Sequence, residues 1–275
     1  MKIQVLGSAA AEGWPALYCE CDACRRARAL RGKDIRRRTS YLVDGSLLID
    51  LGPDIYWQTI EFGLDLSRID AVFFTHSHAD HCNPVDLLWH RPGFSVVSRT
   101  IDLFGSQAVV DKIVRGLEWP DPARYGYRTH VLRPGEPVEF GGYRLTPILA
   151  SHATPPEQAL NYIIQAPDGV TALIGNDSGW WCDESWRALA EHRLDIAVIE
   201  ATMGLRSPDH DHGHLGANAA VRVRDRLREL GALADGALVA VNHFSHNGGG
   251  SHQELADHFR PLGIEVCHDG MTLER

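Results

Sequence analysis

The sequence predicts an α/β protein in which β-sheets pack centrally and helices lie on the outside. Short segments rich in β-branched and aromatic residues, bounded by Gly, Pro, Asp or Asn, recur along the chain. They dominate the first half and alternate with helical segments later, an order typical of sheets covered by helices. No long run of Pro, Ser or Gly and no internal repeat divides the chain, so we expect a single domain spanning residues 1–275.

Ten segments have the composition of strands and five have the pattern of helices. The predicted strands are KIQVLG, SYLV, SLLID, AVFFT, TIDLFG, YRLTPILA, NYIIQA, VTALIG, DIAVIE and ALVAV. The clearest helix is ANAAVRVRDRLREL, where Ala220, Val223, Leu227 and Leu230 follow three-and-four spacing and the arginines fall on the other face. Shorter helices are predicted near 54–61, 106–117, 183–191 and 252–260.

Composition limits the class of protein and of partner. With 44% hydrophobic residues and no apolar run long enough for a signal peptide or a membrane span, we expect a globular cytoplasmic protein without a membrane partner. The formal net charge of −9 argues against general attraction to nucleic acid. The segment 25–38 reverses this sign with eight basic residues and one acidic residue. It is either a solvated surface segment or a patch that attracts an anionic substrate.

Residues with metal-binding side chains follow the ends of predicted strands. His76, His78, Asp80 and His81 crowd into HSHADH directly after AVFFT. Three more residues occupy the same kind of position, each after another strand: His152, Asp177 and His243. Side chains at neighbouring strand ends can converge at one edge of a sheet. A carboxylate beside three imidazoles suits Zn²⁺, Mn²⁺ or Fe²⁺, and this many ligands favours two ions over one.

Two further residues near these ligands have more than one interpretation. Asp50, at the end of SLLID, is either a turn-capping residue or an acceptor that orients a ligand imidazole. Cys82 directly follows HSHADH, and its thiol either touches the metal site or packs beneath it.

Three of the six cysteines, Cys19, Cys21 and Cys24, crowd into YCECDAC. In a cytoplasmic protein such crowding indicates metal binding more often than disulfides. A tight turn with this spacing can direct three sulfurs to one point, and three Cys with one His make a closed tetrahedral zinc site. We therefore expect a structural zinc loop at about residues 13–30.

The motif H-x-H-x-D-H, with a later His, Asp and His each following a strand, resembles the metallo-β-lactamase superfamily over nearly the whole chain. The segment LIDLGPD at 48–54 is similar to that superfamily's first motif. The resemblance implies an αββα sandwich, in which two central mixed β-sheets are flanked by helices and a dinuclear metal site lies at one edge. It implies one divalent metal, Zn or Mn, on His76, His78 and His152, a second on Asp80, His81 and His243, and Asp177 as the bridge between them.

The N-terminal segment resembles two branches of the superfamily, the phosphoribosyl cyclic phosphate phosphodiesterase of the carbon–phosphorus lyase pathway and the pyrroloquinoline-quinone biosynthesis B protein. The second branch lacks an intact H-x-H-x-D-H, so we favour the first. In that branch a C-x-C-x₂-C segment and a histidine three residues after the last active-site histidine bind a structural zinc. The corresponding residues here are Cys19, Cys21, Cys24 and His246.

The resemblance also implies two catalytic residues, Asp80 and His214. In the phosphodiesterase a histidine at the start of a late helix is the general acid, and His214 in DHGHLGANAAV has the matching position. An imidazole with an ordinary pKa near 6.5 can donate a proton near neutral pH. His210 and His212 are the alternatives for this role. The segments LLWHRPGFS and GNDSGWWCDES differ from that branch and leave the substrate open.

The leading prediction is a metal-dependent hydrolase, a phosphoric diester hydrolase that cleaves a small, cyclic phosphodiester with a hydroxide bridging the two metals. One alternative is a ribonuclease Z-like enzyme, in which the segment 25–38 would follow an RNA backbone. Another is a non-catalytic binding or carrier protein like the quinone-biosynthesis protein. Thioester or lactam hydrolysis also remains open, because this fold hosts several chemistries. We expect a small-molecule substrate and no nucleic acid, and the resemblance allows a homodimer.

Overall fold

The strands form two mixed sheets. The computed structural model describes residues 1–153 and 155–275, and within these ranges each sheet has seven strands. In spatial order, the first sheet contains β14 (Thr272–Glu274), β1 (Lys2–Gly7), β2 (Ser40–Val43), β3 (Leu47–Ile49), β4 (Ala71–Phe73), β5 (Ile101–Gly105) and β6 (Tyr127–Val131). The second contains β13 (Glu265–Val266), β12 (Leu233–Asn242), β11 (Leu194–Glu200), β10 (Thr171–Gly175), β9 (Leu160–Gln165), β8 (Tyr143–Leu149) and β7 (Val138–Phe140).

Each sheet combines parallel and antiparallel pairs. Strands β3 to β6 are parallel in the first sheet, and β10 to β13 are parallel in the second, whereas the remaining neighbours are antiparallel. The two sheets face each other across a core that includes Val5, Tyr41, Phe73, Tyr162 and Ile174, all fully buried. Central strands are covered on both faces, which explains why they read as continuous apolar runs.

Helices cover the outer faces of both sheets. They are α1 (Asp22–Leu30), α2 (Ile55–Phe62), α3 (Gln107–Gly116), α4 (Asp183–Ala190), α5 (Ala217–Glu229) and α6 (His252–Phe259). Residues of α2 and α3 pack on the first sheet, and residues of the other four helices pack on the second. The arrangement confirms the predicted αββα sandwich. No helix in the described ranges is long and apolar enough to cross a membrane.

Side-chain caps fix the start of two helices. The Ser106 hydroxyl accepts a hydrogen bond from Val109 N at the start of α3. At the start of α6, Ser251 and Glu254 form a capping box, in which each side chain accepts from the other residue's backbone N–H. Such boxes satisfy two of the backbone donors that a helix start leaves free.

All ten predicted strands and all five predicted helices are present. The largest difference in an end is at β12, which begins at Leu233 although the apolar pattern begins at Ala237. Four short strands, β6, β7, β13 and β14, and the helix α1 were not predicted. In α5 the arginines do not all face solvent: Arg224 is 6% exposed and donates to Leu262 O at 2.7 Å.

The basic segment 25–38 is a solvated surface segment only in part. Arg36 is 3% exposed and donates to Ser8 Oγ at 2.9 Å and to the Cys267 carbonyl at 2.7 Å. Its guanidinium also lies 4.5 Å from the centre of the Phe244 ring. The interpretation as a surface segment is therefore wrong for Arg36, which joins three distant parts of the chain.

Replacing Arg36 by Met should lower the free energy of unfolding by about 2–4 kcal/mol, because the buried Cys267 carbonyl and Ser8 hydroxyl lose their donor. Urea denaturation measures this change. The matched control is Lys33→Met in the same segment, where the side chain is exposed and the expected change is within about 0.5 kcal/mol. Equal losses in the two variants would contradict the structural role of Arg36.

Candidate metal centre

The metal-binding side chains predicted from the sequence gather at one edge of the sandwich. The HSHADH loop follows β4, Asp177 and His243 follow the parallel strands β10 and β12, and His152 follows β8, which runs in the same direction as β10. Ligands of α/β proteins commonly bind outside the carboxyl ends of such strands. The side chains form two groups, in each of which the potential ligand atoms lie within 4.8 Å of one another: His76, His78 and His152, and Asp80, His81, Asp177 and His243.

Asp177 lies between the two groups. Its Oδ2 atom is 2.6 Å from His81 Nε2, 3.2 Å from His243 Nε2 and 3.8 Å from His76 Nε2. Nitrogen ligands at about 2.0–2.1 Å from a tetrahedral ion are about 3.3 Å apart. The separation from His243 matches that of two ligands of one ion, whereas the 2.6 Å separation from His81 is a hydrogen-bond distance. The position of Asp177 between the two groups lets its carboxylate reach an ion held by either group.

Three imidazole nitrogens at the centre are buried and make no hydrogen bond of regular geometry among the described residues, although a carboxylate oxygen lies within 3.8 Å of each. They are the Nε2 atoms of His76, His81 and His243. A buried polar atom without a partner is costly, unless a group such as a metal ion satisfies it. The donor set of the cluster therefore fits divalent metal ions.

In two of these rings, those of His76 and His243, the other nitrogen is held by a hydroxyl. Thr75 Oγ1 lies 3.0 Å from His76 Nδ1 and donates its own proton to Asp50, so it accepts from the imidazole. Thr202 Oγ1 lies 2.9 Å from His243 Nδ1 and donates to the His243 carbonyl, so it also accepts from the ring. With the proton on Nδ1, the Nε2 lone pair is free for a metal.

Asp50 does the same for the third ring. Its Oδ2 atom is 2.7 Å from His81 Nδ1, and its Oδ1 atom accepts from Thr75 N at 2.7 Å. Asp50 is fully buried, and it therefore orients a ligand imidazole as well as the backbone before the HSHADH loop. Neither Thr75 nor Thr202 was singled out from the sequence, because a threonine at a strand end has no distinctive pattern.

The environment of Asp177 keeps it charged. Burial alone would raise the pKa of its carboxyl, but the electrostatic interactions with the nearby His243 and His81 rings outweigh burial and hold that pKa well below the ordinary value. Asp177 and His243 also have left-handed backbone conformations, with φ of 47° and 60°. Such conformations are unusual for residues other than Gly and are concentrated at functional sites.

Of the three late histidines, His214 lies beside the cluster. Its Nδ1 atom is 3.0 Å from Glu200 Oε1 and 3.5 Å from Asp177 Oδ1, and its ring centre is 4.9 Å from that of His152. His210 and His212 are not part of this arrangement. His210 Nε2 contacts the His212 carbonyl, and the His212 side chain is 93% exposed.

Glu200, the partner of His214, was missed in the sequence. It ends β11, is fully buried, and accepts from Ser178 N at 2.6 Å and Leu215 N at 3.2 Å. Its position could have indicated it. Glu200 ends the predicted strand DIAVIE, and the other candidate residues likewise lie just past the ends of predicted strands. Burial would lower the pKa of His214, but Glu200 outweighs it and raises that pKa to about 9. Cations in the cluster would lower it again.

The structure brings the three N-terminal cysteines and His246 together in a second cluster, with all four potential ligand atoms within 4.8 Å of one another. His246 Nδ1 lies 3.4 Å from Cys21 Sγ and 3.8 Å from Cys19 Sγ. Sulfur and nitrogen ligands of a tetrahedral zinc at about 2.3 and 2.05 Å are about 3.6 Å apart. The spacing therefore fits a closed zinc site, built on the start of α1 instead of on a tight turn alone.

The pKa values of two thiols and a contact with a carboxylate are consistent with a cation in the cysteine cluster. Desolvation would raise the pKa of Cys21, but hydrogen bonds from Cys24 N and His246 outweigh it and lower that pKa to about 6. Burial raises the pKa of Cys24 to about 12, so a cation is needed to deprotonate all three thiols. His246 Nε2 lies 3.3 Å from Glu12 Oε1, a partner that was not predicted.

Cys82 packs beneath the first cluster. It is fully buried among apolar side chains of the first sheet's outer layer, and its backbone N–H donates to the His78 carbonyl at 2.8 Å. Burial raises the pKa of its thiol to about 12, so it stays protonated and apolar in character. Of the two interpretations from the sequence, packing is the one that the structure shows.

Known proteins resemble this chain over different lengths. Octanoyltransferase of Porphyromonas gingivalis is 28% identical over 57% of this chain, and the match spans only 32% of that relative's own length. Coenzyme PQQ synthesis protein B of Cupriavidus necator is 27% identical over 99% of both chains. The second match covers both the candidate metal centre and the cysteine cluster.

Solved structures share the fold over the whole chain. A diphosphatase from the PhnP family superposes with a TM-score of 0.76 and 25% identity, over 99% of this chain and 97% of that one. Zn²⁺-bound PqqB from Methylobacterium extorquens superposes with a TM-score of 0.74 and 21% identity over all of both chains. A family model described as the beta-lactamase superfamily domain matches residues 46–234. The chain therefore belongs to the β-lactamase superfamily and has the fold of its metal-dependent hydrolases.

Proposed function

We propose that this chain is a phosphodiesterase that hydrolyses a small, cyclic phosphodiester with two divalent cations, Zn²⁺ or Mn²⁺. The observation that carries the proposal is the position of His214, which Glu200 holds 3.5 Å from the bridging candidate Asp177. A proton donor fixed beside a two-metal site is what cleavage of a poor leaving group needs. The likeness to a diphosphatase at 25% identity over nearly the full chain supports phosphorus chemistry.

The ligand side chains divide the work of holding the cations. His76, His78 and His152 would hold one ion, Asp80, His81 and His243 the other, and Asp177 would contact both. When bound, the two cations supply a hydroxide near neutral pH and neutralise charge on the phosphoryl oxygens. Asp80 and Asp177 provide the negative charge that offsets two dications in a buried site.

His214 is the proton donor in this proposal. Its Nδ1 atom is held by the Glu200 carboxylate, so its Nε2 atom is the one that can give a proton to the departing oxygen. Ser178 N and Leu215 N donate hydrogen bonds to the Glu200 carboxylate and fix its position. The His214 ring that this carboxylate holds therefore has little freedom to rotate. The donor is therefore positioned before substrate binds, which lowers the cost of reaching the transition state.

The contacts of the basic segment weigh against the ribonuclease alternative. Arg36 is buried, Arg37 pairs with Asp269 at 3.3 Å, and Arg38 pairs with Asp54 at 2.9 Å. These three guanidinium groups, of the eight basic side chains in the segment, are not free to follow an RNA backbone. The carrier alternative is weakened by the complete set of ligand side chains and by His214, which a binding protein does not need.

A substrate panel tests the proposal. Metal-loaded protein should hydrolyse a phosphodiester such as 2′,3′-cyclic AMP or bis(p-nitrophenyl) phosphate faster than a thioester or a β-lactam. Removal of the metals with a chelator should abolish this activity, and addition of Zn²⁺ or Mn²⁺ should restore it. The proposal fails if the metal-loaded protein cleaves none of the phosphodiesters, and preference for a thioester or lactam would assign it to another chemistry.

Replacing Asp177 by Asn should release active-site metal and abolish turnover, because the charge shared by both ions is lost. Asn also tolerates the left-handed φ of 47°, so the backbone is retained. The loss of metal affinity should exceed the roughly 10–100-fold seen when only an outer partner of a ligand is removed. Elemental analysis and steady-state kinetics measure both effects, with exposed Asp183→Asn as the control. Two retained active-site metals and near-normal turnover would exclude the bridging role.

Replacing His214 by Ala should keep the metals bound and slow hydrolysis by roughly 10²–10⁴-fold, the usual contribution of general acid–base groups. The loss should be much smaller for p-nitrophenyl esters, whose leaving group needs no proton. His212→Ala, which removes an exposed imidazole two residues away, should change neither rate. The acid assignment would not survive an equal loss for good and poor leaving groups.

The purified protein should contain about three metals per chain, one of them a zinc on Cys19, Cys21, Cys24 and His246. Cys21→Ser should remove that zinc and leave the two active-site ions largely in place. Cys182→Ser, at an exposed cysteine far in sequence from the cluster, is the control and should keep all three. A count of two in both the unaltered protein and Cys21→Ser would show that the cysteine cluster holds no metal.

A further inference from the structure

A chain of buried hydrogen bonds runs beneath the candidate metal centre and crosses from one sheet to the other. The Tyr41 hydroxyl, on β2 of the first sheet, donates to Asn176 Oδ1 at 2.9 Å. The same hydroxyl accepts from Asn242 Nδ2 at 2.6 Å. All three side chains are fully buried between the sheets. The Tyr41 hydroxyl on the first sheet is thus hydrogen-bonded to two asparagines at strand ends of the second sheet.

Both asparagines directly precede candidate metal ligands. Asn176 precedes Asp177, and Asn242 precedes His243, the two ligands with left-handed backbone conformations. A residue in such a conformation costs of order 1–3 kcal/mol and persists only where its surroundings over-determine it. The residues before the two strained ligands therefore need anchors.

The asparagine side chains have few anchors other than Tyr41. Asn176 Nδ2 and Asn242 Oδ1 are buried without a hydrogen-bond partner among the described residues. Beyond Tyr41, Asn242 Nδ2 has only a 3.3 Å contact to the Gly7 carbonyl. The Tyr41 hydroxyl is thus the main hydrogen-bond partner of both asparagine side chains.

Trp181, which lies in the segment GNDSGWWCDES, extends the network. Trp181 Nε1 donates to Asn161 Oδ1 at 2.8 Å, and Asn161 Nδ2 donates to the Asn176 carbonyl at 2.6 Å. That carbonyl belongs to the peptide that joins Asn176 to Asp177. Side chain and backbone of Asn176 are therefore both held from below, by Tyr41 and by Asn161.

We propose that Tyr41 is a positioning residue for the metal centre, which holds Asp177 and His243 in register with each other through Asn176 and Asn242. Tyr41 touches neither metal ligand nor substrate. It acts by fixing the separation of two strained ligands whose atoms lie 3.2 Å apart. This inference rests on the metal centre of the proposed function, and it concerns affinity for metal, not the chemistry of hydrolysis.

The test is Tyr41→Phe, which removes a single oxygen atom from the interior. Zn²⁺ affinity of the active site, measured by competition with a chelator, should fall by about tenfold or more, the effect expected when an outer partner of a metal ligand is lost. In the Co²⁺-substituted protein, the ligand-field bands of the active site should change. The sulfur-to-cobalt charge-transfer band of the cysteine cluster should not, because Tyr41 has no contact with that cluster.

Tyr127→Phe is the matched control. Tyr127 is another buried tyrosine of the first sheet, and its hydroxyl donates to the Leu87 carbonyl at 3.1 Å, without contact to a strand end that carries a ligand. It should lose a comparable amount of stability and bind Zn²⁺ as the unaltered protein does. A general loosening of the fold would weaken metal binding equally in both variants, and that result would overturn the proposal.

A second variant decides the question if Tyr41→Phe does not fold. Asn176→Ala removes one amide and leaves the Tyr41 contact with Asn242, so it should also weaken Zn²⁺ binding. Where both variants fold, the double variant should lose no more affinity than Tyr41→Phe alone, because both changes remove the same hydrogen bond. Unchanged Zn²⁺ affinity in Tyr41→Phe, or in Asn176→Ala where Tyr41→Phe does not fold, would overturn the inference while leaving the metal centre intact. Absence of active-site metal in the unaltered protein would instead overturn the proposed function and this inference with it.

Discussion

The buried carboxylate of Asp177 stands at the point where both halves of the sandwich meet the candidate metal centre. It is 4% exposed and faces His81 from the first sheet and His243 from the second. A charged group in such a place is stable only where opposite charge lies nearby, which the cations of the proposed metal centre would supply. The loops that carry the candidate ligands therefore have to converge on this carboxylate from both sheets.

The parallel strands make this convergence possible. Strands β10, β11 and β12 run side by side in register, and their ends deliver Asp177, Glu200 and His243 to one edge. The first sheet brings Asp50 and the HSHADH loop to the same edge through β3 and β4. Since the central strands β3, β4 and β10 are buried along their length and almost entirely apolar, the polar residues of the candidate site lie just past the strand ends. The burial of apolar strands that stabilises the core thus also places the reactive side chains together at one edge of the sandwich.

Sequence patterns predicted the parts of the fold in which burial is complete. The four unpredicted strands, β14, β6, β13 and β7, are the four edges of the two sheets, where strands are short and half exposed. The candidate ligand residues of the metal centre were predictable because four of them crowd into HSHADH and the other three each follow a strand. Apart from Asp50, the partners of these residues, of the cysteine cluster and of His214 were not predictable: Glu200, Glu12 and Thr202 act through contacts across 14, 234 and 41 positions of sequence. Only the fold brings such pairs together.

The segment from His243 to His246 links the candidate metal centre to the cysteine cluster, because each cluster contains one of its two histidines. Phe244 donates to the Ser8 carbonyl and accepts from Ala10 N, so the N-terminal loop holds this segment as an added strand would. Ser245 Oγ and His246 Nε2 both meet the Glu12 carboxylate. A zinc on the cysteine cluster would anchor His246 from one side while Tyr41 and Asn242 hold the residue before His243 from the other. The left-handed conformation of His243 would thus be fixed on both sides, and the proposed zinc would influence the metal centre through geometry alone.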